Sequence, residues 1–389
     1  MAKSPNIYIP YAYFLVQMEY MISGTIVYGD DFELVDGYIG IKDGIITEVG
    51  TDKVDCVAEG IVIPSFVNAH THIGDSVMKD VEFMTLDELV KPPDGLKHKI
   101  LKETPPNELL SAMESTILDM ILTGTGTFVD FRESGLTGTR VLKEALDGHP
   151  IDGMIFGRPV KADYNSLEEL VSEIDGFGIS SAIEYDLKLL DMIISEAKRQ
   201  KKQVGVHAGE KDRSDIKGAV ELNPDHIVHL TKASKKDISL IEDNDIPVVV
   251  CPRSNFVTGV GKPPVSEMMD RGITVGIGTD NLMLNSANMF SEIEFLAKIF
   301  LHDDRKVFKM GTLNGAKIIN RDKEIGSILP GKKANLVVIN KKSYNMRGVK
   351  NPLSGIVRRA RPDDIVALVY EGNLTPKNYL FKKEAKDGY

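Results

Sequence analysis

The chain has 389 residues, a formal net charge of −10, 42% apolar and 27% charged residues, and two cysteines. That length accommodates one large domain with a smaller one beside it, and the acidic balance argues against a general nucleic-acid binder or attraction to anionic membranes, though not against a nucleoside or base as substrate. Cys56 and Cys251 are too few for a disulfide framework, which points to a reducing, cytoplasmic setting.

In chain order, the first run (residues 7–16) is mildly apolar but lacks a basic start and a small-residue cleavage site, so a signal peptide is not expected; Met18 and Met21 are both candidate starts. No stretch reaches the roughly 20 apolar residues of a membrane helix. Residues 21–60 alternate short β-rich runs with turns, and 38–50 read as a hairpin turning at Lys42-Asp43-Gly44. From residue 61 the rhythm changes. Eight apolar runs read as strands (61–69, 126–131, 153–157, 179–183, 203–206, 226–228, 246–250 and 274–277), separated by amphipathic stretches such as 107–122, 185–201, 233–244 and 265–271. Strand alternating with helix implies a parallel sheet, and eight repeats over roughly 260 residues match a (β/α)8 barrel. A doubly wound open sheet is the alternative, but no Gly-x-Gly-x-x-Gly follows the first strand. Helical patterns continue through 288–301 and 304–319, and β character returns at 326–339 and 365–372. The expected fold is therefore a TIM barrel over residues 61–322, with a composite β-sandwich built from 1–60 and 323–389.

Active-site residues of such barrels sit at the C-terminal ends of the strands. His70 and His72 end the first strand, two residues apart, so both imidazoles point to the same side and can share a metal ion. The fifth strand ends in His207-Ala208-Gly209-Glu210, the sixth in His229, the seventh in Cys251-Pro252-Arg253-Ser254-Asn255 and the eighth in Gly278-Thr279-Asp280-Asn281. Of the eight histidines, four stand at these ends; His98, His149, His226 and His302 read as loop, surface or mid-strand residues.

His-x-His on strand 1, His-x-x-Glu on strand 5, His on strand 6 and Gly-Thr-Asp on strand 8 resemble the amidohydrolase superfamily, and more narrowly its cytosine deaminase-like and chlorohydrolase-like branch. The flanking β segments fit that branch as well. The resemblance implies metal ligands His70, His72, His207 and Asp280, a set of three imidazoles and a carboxylate that suits zinc first, with iron or manganese as alternatives. It implies that Glu210 carries a proton from water to the substrate ring, that His229 orients the attacking hydroxide, and that Asp280 passes a proton to the leaving group. Binuclear members use a carboxylated lysine ending strand 4; residues 179–184 contain none, so one divalent ion per chain is expected. The Cys-x-x-Cys zinc deaminase signature cannot form from two distant cysteines.

Substrate contacts are expected from Arg132 and Glu133 after strand 2, Arg253 and Asn255 after strand 7, Asn281 after the metal aspartate, and Asp94 on the loop after strand 1. The expected function is hydrolytic release of ammonia from an amino-substituted heterocycle. A chlorohydrolase or a cyclic amide hydrolase on the same site, and a non-catalytic scaffold, are the alternatives. The expected partner is a small heterocycle, with no nucleic acid and no membrane, and a homo-oligomer is compatible with this reading.

Overall fold

The computed structural model describes residues 19–91, 94–159 and 164–376. The apolar run at 7–16 and Met18 lie outside them, and Met21 falls within the first strand. In chain order the strands are β1 (Tyr20–Tyr28), β2 (Glu33–Lys42), β3 (Ile45–Gly50), β4 (Ala58–Pro64), β5 (Phe66–His72), β6 (Thr125–Arg132), β7 (Asp152–Gly157), β8 (Gly176–Ile179), β9 (Gln203–Ala208), β10 (His226–His229), β11 (Val248–Val250), β12 (Val275–Ile277), β13 (Asp280–Asn281), β14 (Leu336–Ile339), β15 (Ile365–Tyr370) and β16 (Asn373–Pro376).

The β2–β3 hairpin forms as expected. Lys42 pairs with Ile45 across a two-residue turn, in which Asp43 has φ 49° and Gly44 φ 80°. Two positive φ values are what a tight turn matching the strand twist requires, and Asp-Gly tolerates them at little cost. This hairpin belongs to a seven-stranded sheet of order β16-β15-β14-β4-β1-β2-β3. Only β1 and β4 run parallel within it. At its centre β4 pairs with β14, Pro64 opposite Leu336 and Ile61 opposite Ile339, so segments from before and after the barrel are joined in one sheet. Ile22, Ile26, Ile39, Val62, Leu336 and Val338 form its core.

The second sheet is all parallel, in the order β12-β11-β10-β9-β8-β7-β6-β5-β13. β12 bonds to β11 and β13 bonds to β5, while only Gly278 and Thr279 separate β12 from β13. The last strand is thus broken in two and shared between both neighbours, which closes the ring into a barrel. Helices between the strands cover its outside over a continuous apolar layer that includes Ile117, Leu142, Ile193, Val206, Ile227 and Ile293.

Two strand boundaries differ from the sequence pattern. The run at 61–69 is two strands in two sheets, broken at Ser65: β4 joins the small sheet and β5 the barrel. Residues 61–69 are buried throughout, so hydropathy carries no mark of the change of sheet. The fourth barrel strand is Gly176–Ile179 rather than 179–183, and Ile183 is 65% exposed. The two glycines that disguise this strand are required by packing. A Cβ on Gly176 would lie 2.8 Å from the Phe156 ring, and one on Gly178 would lie 2.7 Å from Phe131.

Candidate metal centre and its cavity

Histidines from three strand ends and an aspartate from a fourth converge at one mouth of the barrel. His207 Nε2 lies 3.1 Å from His70 Nε2 and 3.3 Å from His72 Nε2. Asp280 Oδ1 lies 3.4 Å from His70 Nε2 and 3.6 Å from His72 Nε2. One ligand atom from each of His70, His207, His229 and Asp280 can be chosen so that all lie within 4.8 Å of one another. His229 has φ 82° and Asp280 φ 59°. Neither is a glycine, so these left-handed conformations cost energy that the surrounding fold has to hold in place. They turn the chain at the strand ends where these side chains enter the site.

The chemistry of this donor set fits a cation. His72 Nδ1 is 3.1 Å from the Phe131 carbonyl oxygen and His207 Nδ1 is 3.0 Å from that of Ile179. A carbonyl can only accept, so each Nδ1 carries the proton and each Nε2 presents a lone pair. Two lone pairs facing each other at 3.3 Å do not hydrogen-bond. They are arranged as ligands whose second nitrogen is anchored by an outer partner. Asp280 Oδ1 is buried among them with no hydrogen bond of its own, while Asp280 Oδ2 accepts from Ser254 Oγ at 2.7 Å. Burial lowers His70 to about 4 and His72 to about 3, and holds His207 well below the usual histidine range, so all three are neutral at physiological pH. For Asp280 burial pushes upward, but the His70 contact and the surrounding imidazoles outweigh it and hold the carboxylate well below its ordinary value.

Glu210 follows His207 by three residues and reaches His229, with Oε2 3.5 Å from Nε2. Asn255 Nδ2 lies 3.3 Å from Glu210 Oε1 and 3.2 Å from His229 Nδ1, bridging the two. Burial raises the Glu210 carboxyl above the ordinary range, against the opposing pull of His229. His226, the neighbouring histidine, is elsewhere. It is fully buried against the Phe131 and Phe156 rings, and neither of its nitrogens has a hydrogen-bond partner. Burial lowers it to about 4, so it packs as a neutral ring.

A cavity of about 250 Å³ opens above these residues, lined by His72, His207, Glu210, His229, Asp280 and Asn281, and also by Lys97, Arg158, Ser180 and Ser181. Leu86, Asp87 and Val90 line it from the long connection after β5, where a Thr85–Glu88 capping box fixes a short helix, Leu86–Val90. Of the six expected substrate contacts, Asn281 lines the cavity and the other five do not. Glu133 is turned into the protein, 2.9 Å from His72 Nδ1 and 2.6 Å from Arg132 Nη2. Arg132 is buried beside Glu133 and Asp130. Arg253 pairs with buried Glu292 at 3.3 Å. Asn255 is spent on Glu210 and His229, and Asp94 is exposed. In each buried case a charge or amide at a strand end is consumed by its neighbours, because a buried polar group left unpaired is costly.

Sequence reasoning missed Lys97, Arg158 and Ser254. The Ser254 hydroxyl lies within the strand 7 motif that drew attention for other residues. Lys97 lies in Leu96-Lys97-His98-Lys99, which has the pattern of a solvated helix face, yet its side chain is 4% exposed.

A model of the amidohydrolase family matches residues 61–375. A protein of Methanocaldococcus jannaschii described as uncharacterized is 36% identical over 374 residues, covering 89% of this chain and 96% of its own. The 5-methylthioadenosine/S-adenosylhomocysteine deaminase of Acetivibrio thermocellus is 26% identical over 402 residues, covering 90% and 92%. Among solved structures, the zinc complex of atrazine chlorohydrolase from Arthrobacter aurescens superposes with a TM-score of 0.78, covering 91% of this chain and 94% of that one. At 17% identity that likeness speaks for the fold. Among the described residues no helix is long and apolar enough to cross a membrane.

Proposed function

This chain belongs to the amidohydrolase family, and from that footing we propose that it is a mononuclear metal-dependent deaminase that releases ammonia from an amino-substituted heterocycle. The observation that carries the reading is the trio Glu210, His229 and Asp280 around one cavity, in which one carboxyl is raised and the other lowered. Two acids whose environments push them apart can run acid and base steps at one pH.

We assign the metal to His70, His72, His207 and Asp280, with His229 beside it. The absence of a lysine on β8 (Gly176–Ile179) supports a single ion. Once bound, a zinc-type ion lowers the pKa of a coordinated water to about 7. The remaining steps fall to the protein. Glu210, its carboxyl raised by burial, donates to the ring nitrogen beside the carbon under attack, which removes the negative charge building on the ring, and it recovers a proton from the added hydroxyl as the carbonyl forms. His229, fixed by Asn255, presents Nε2 toward the same point and stabilises the developing charge. Asp280, steadied at Oδ2 by Ser254, takes up the water's proton and delivers it to the departing amine. An amine needs that proton in order to leave, whereas chloride does not, and this favours deamination over halide release. A cytoplasmic setting is supported by two cysteines that are both free.

The test is a matched panel of amino- and chloro-substituted purines, pyrimidines and triazines, with ammonia and halide both measured. Ammonia release is expected. Halide release with no ammonia from any amino analogue would replace this reading with the chlorohydrolase one.

A further inference from the structure

We propose that Lys97 is a substrate-binding residue and that the ring it serves carries an oxo group, or the oxyanion derived from one, conjugated with the carbon that loses its amine. The inference rests on the deaminase reading above and narrows it.

Lys97 sits in the helix Leu96–Glu103, on the connection that covers the cavity after β5. The rest of that helix faces outward or packs on the connection, but the Lys97 side chain turns inward and is almost fully buried. Its Nζ lies 2.7 Å from Glu133 Oε1 and 3.4 Å from Asn281 Oδ1. An ammonium has three N–H donors, and two are accounted for by these acceptors. Lys97 also lines the cavity beside His72, Asp280 and Asn281, so a donor left over from these contacts can face it.

Glu133 does not neutralise Lys97 by itself, since the same carboxylate also serves Arg132 and His72. Arg132 has a second carboxylate in Asp130, and the field of Lys97 also reaches buried Asp75, so what Lys97 offers a ring is a fixed N–H donor aimed at an oxo oxygen. Lys97 stands on the β5 and β13 side of the mouth, through His72 and Asn281, whereas Glu210 stands on the β10 side, through His229. A ring lying between them can meet Glu210 at a nitrogen and Lys97 at another edge. When water adds to the ring carbon, an electron pair moves into the ring. A conjugated exocyclic oxygen takes part of that charge, and a cation fixed beside it stabilises the transition state more than the ground state. An adenine-type ring offers only ring nitrogens at its edge and makes poorer use of a cation there.

The experiment compares rings that differ by one oxygen: isoguanine with adenine, guanine with 2-aminopurine, and cytosine with 4-aminopyrimidine. It uses the metal-loaded full chain as wild type, Lys97→Met and Lys97→Arg, with metal content measured on each. For the pair that is turned over, the wild type is expected to favour the oxo ring in kcat/KM by about 10- to 100-fold, the scale of one hydrogen bond to a charged group. Lys97→Met is expected to reduce turnover of the oxo ring far more than that of its partner, and Lys97→Arg to recover part of the preference. A lysine that only pinned its helix, or only supported the metal, would lower both members of a pair alike. That result, or a wild type indifferent to the oxygen, overturns the proposal and leaves the deaminase reading standing. Should no ring release ammonia, the deaminase reading fails, and calorimetric binding of hypoxanthine against purine decides Lys97 separately. Equal affinity for the two in wild type overturns it, while a preference for hypoxanthine that disappears in Lys97→Met supports it.

Discussion

Glu210→Gln isolates one proton. Glutamine keeps the length and planarity of the side chain, and its oxygen can still accept from Asn255 Nδ2, which lies 3.3 Å from Glu210 Oε1 in the native protein. The contact given up is the approach of Oε2 to His229 Nε2 at 3.5 Å, long for a strong hydrogen bond. The substitution therefore changes little in the geometry and removes the titrating group. Loss of a positioned general acid costs typically about 10²–10⁴-fold, and that is the expected fall in kcat. The ring that releases ammonia most readily is the substrate for the assay, with metal content measured alongside, because the metal ligands are untouched and should stay loaded. The pH profile gives a second readout. Burial raises the Glu210 carboxyl, so its protonated form persists above the ordinary carboxylate range. Wild-type activity that depends on this proton falls as pH rises through the raised pKa, and the variant lacks that limb. Retention of kcat within about threefold of wild type, with full metal loading, would show that Glu210 does no general acid work of the size expected here.

Glu133→Gln should weaken metal retention by about 10- to 100-fold, the usual effect of losing an outer carboxylate partner of a ligand histidine, and should lower thermal stability as well, since Arg132 and Lys97 lose a buried counter-ion. Dialysis against graded chelator followed by elemental analysis checks this, and unchanged retention would mean that the Phe131 carbonyl alone holds His72. Glu292, fully buried against Arg253, is pushed up to about 7 by burial. An acid whose pKa is higher folded than unfolded destabilises the fold increasingly as pH rises from about 4.5 to about 7, by about 3 kcal/mol at roughly 1.4 kcal/mol per unit. Thermal melts of wild type and Glu292→Gln across pH 5–8 should converge at the acid end and favour the variant at the alkaline end, and parallel curves would refute the shift.

The strand ends were legible because the barrel imposes a rule on position: chemistry belongs where a buried run stops. His70, His72, His207, His229 and Asp280 each follow such a run directly, so a reading of hydropathy places them on one rim without any knowledge of the third dimension. The same rule says nothing about direction. Arg132 and Glu133 stand at a strand end as squarely as His207 does, and in sequence nothing marks that their side chains turn inward to pair with Asp130, His72 and Lys97. That depends on Gly74, where a Cβ would lie 2.1 Å from the Arg132 guanidinium. The small residue that makes room is in a different loop from the arginine that needs it. Lys97 is the complementary case. Its surroundings, Leu96-Lys97-His98-Lys99, carry the pattern of a solvated helix, and its burial follows from how the connection after β5 folds back over the mouth. Position along a strand is a local property and survives in the sequence, whereas the pairing of buried charges is a property of the whole cluster. In this barrel the candidate metal ligands belong to the first kind, and Lys97 with the buried charges around it belongs to the second. If the role proposed for Lys97 holds, proteins of this fold can share one set of strand-end motifs while residues of the connecting loops decide which ring is accepted.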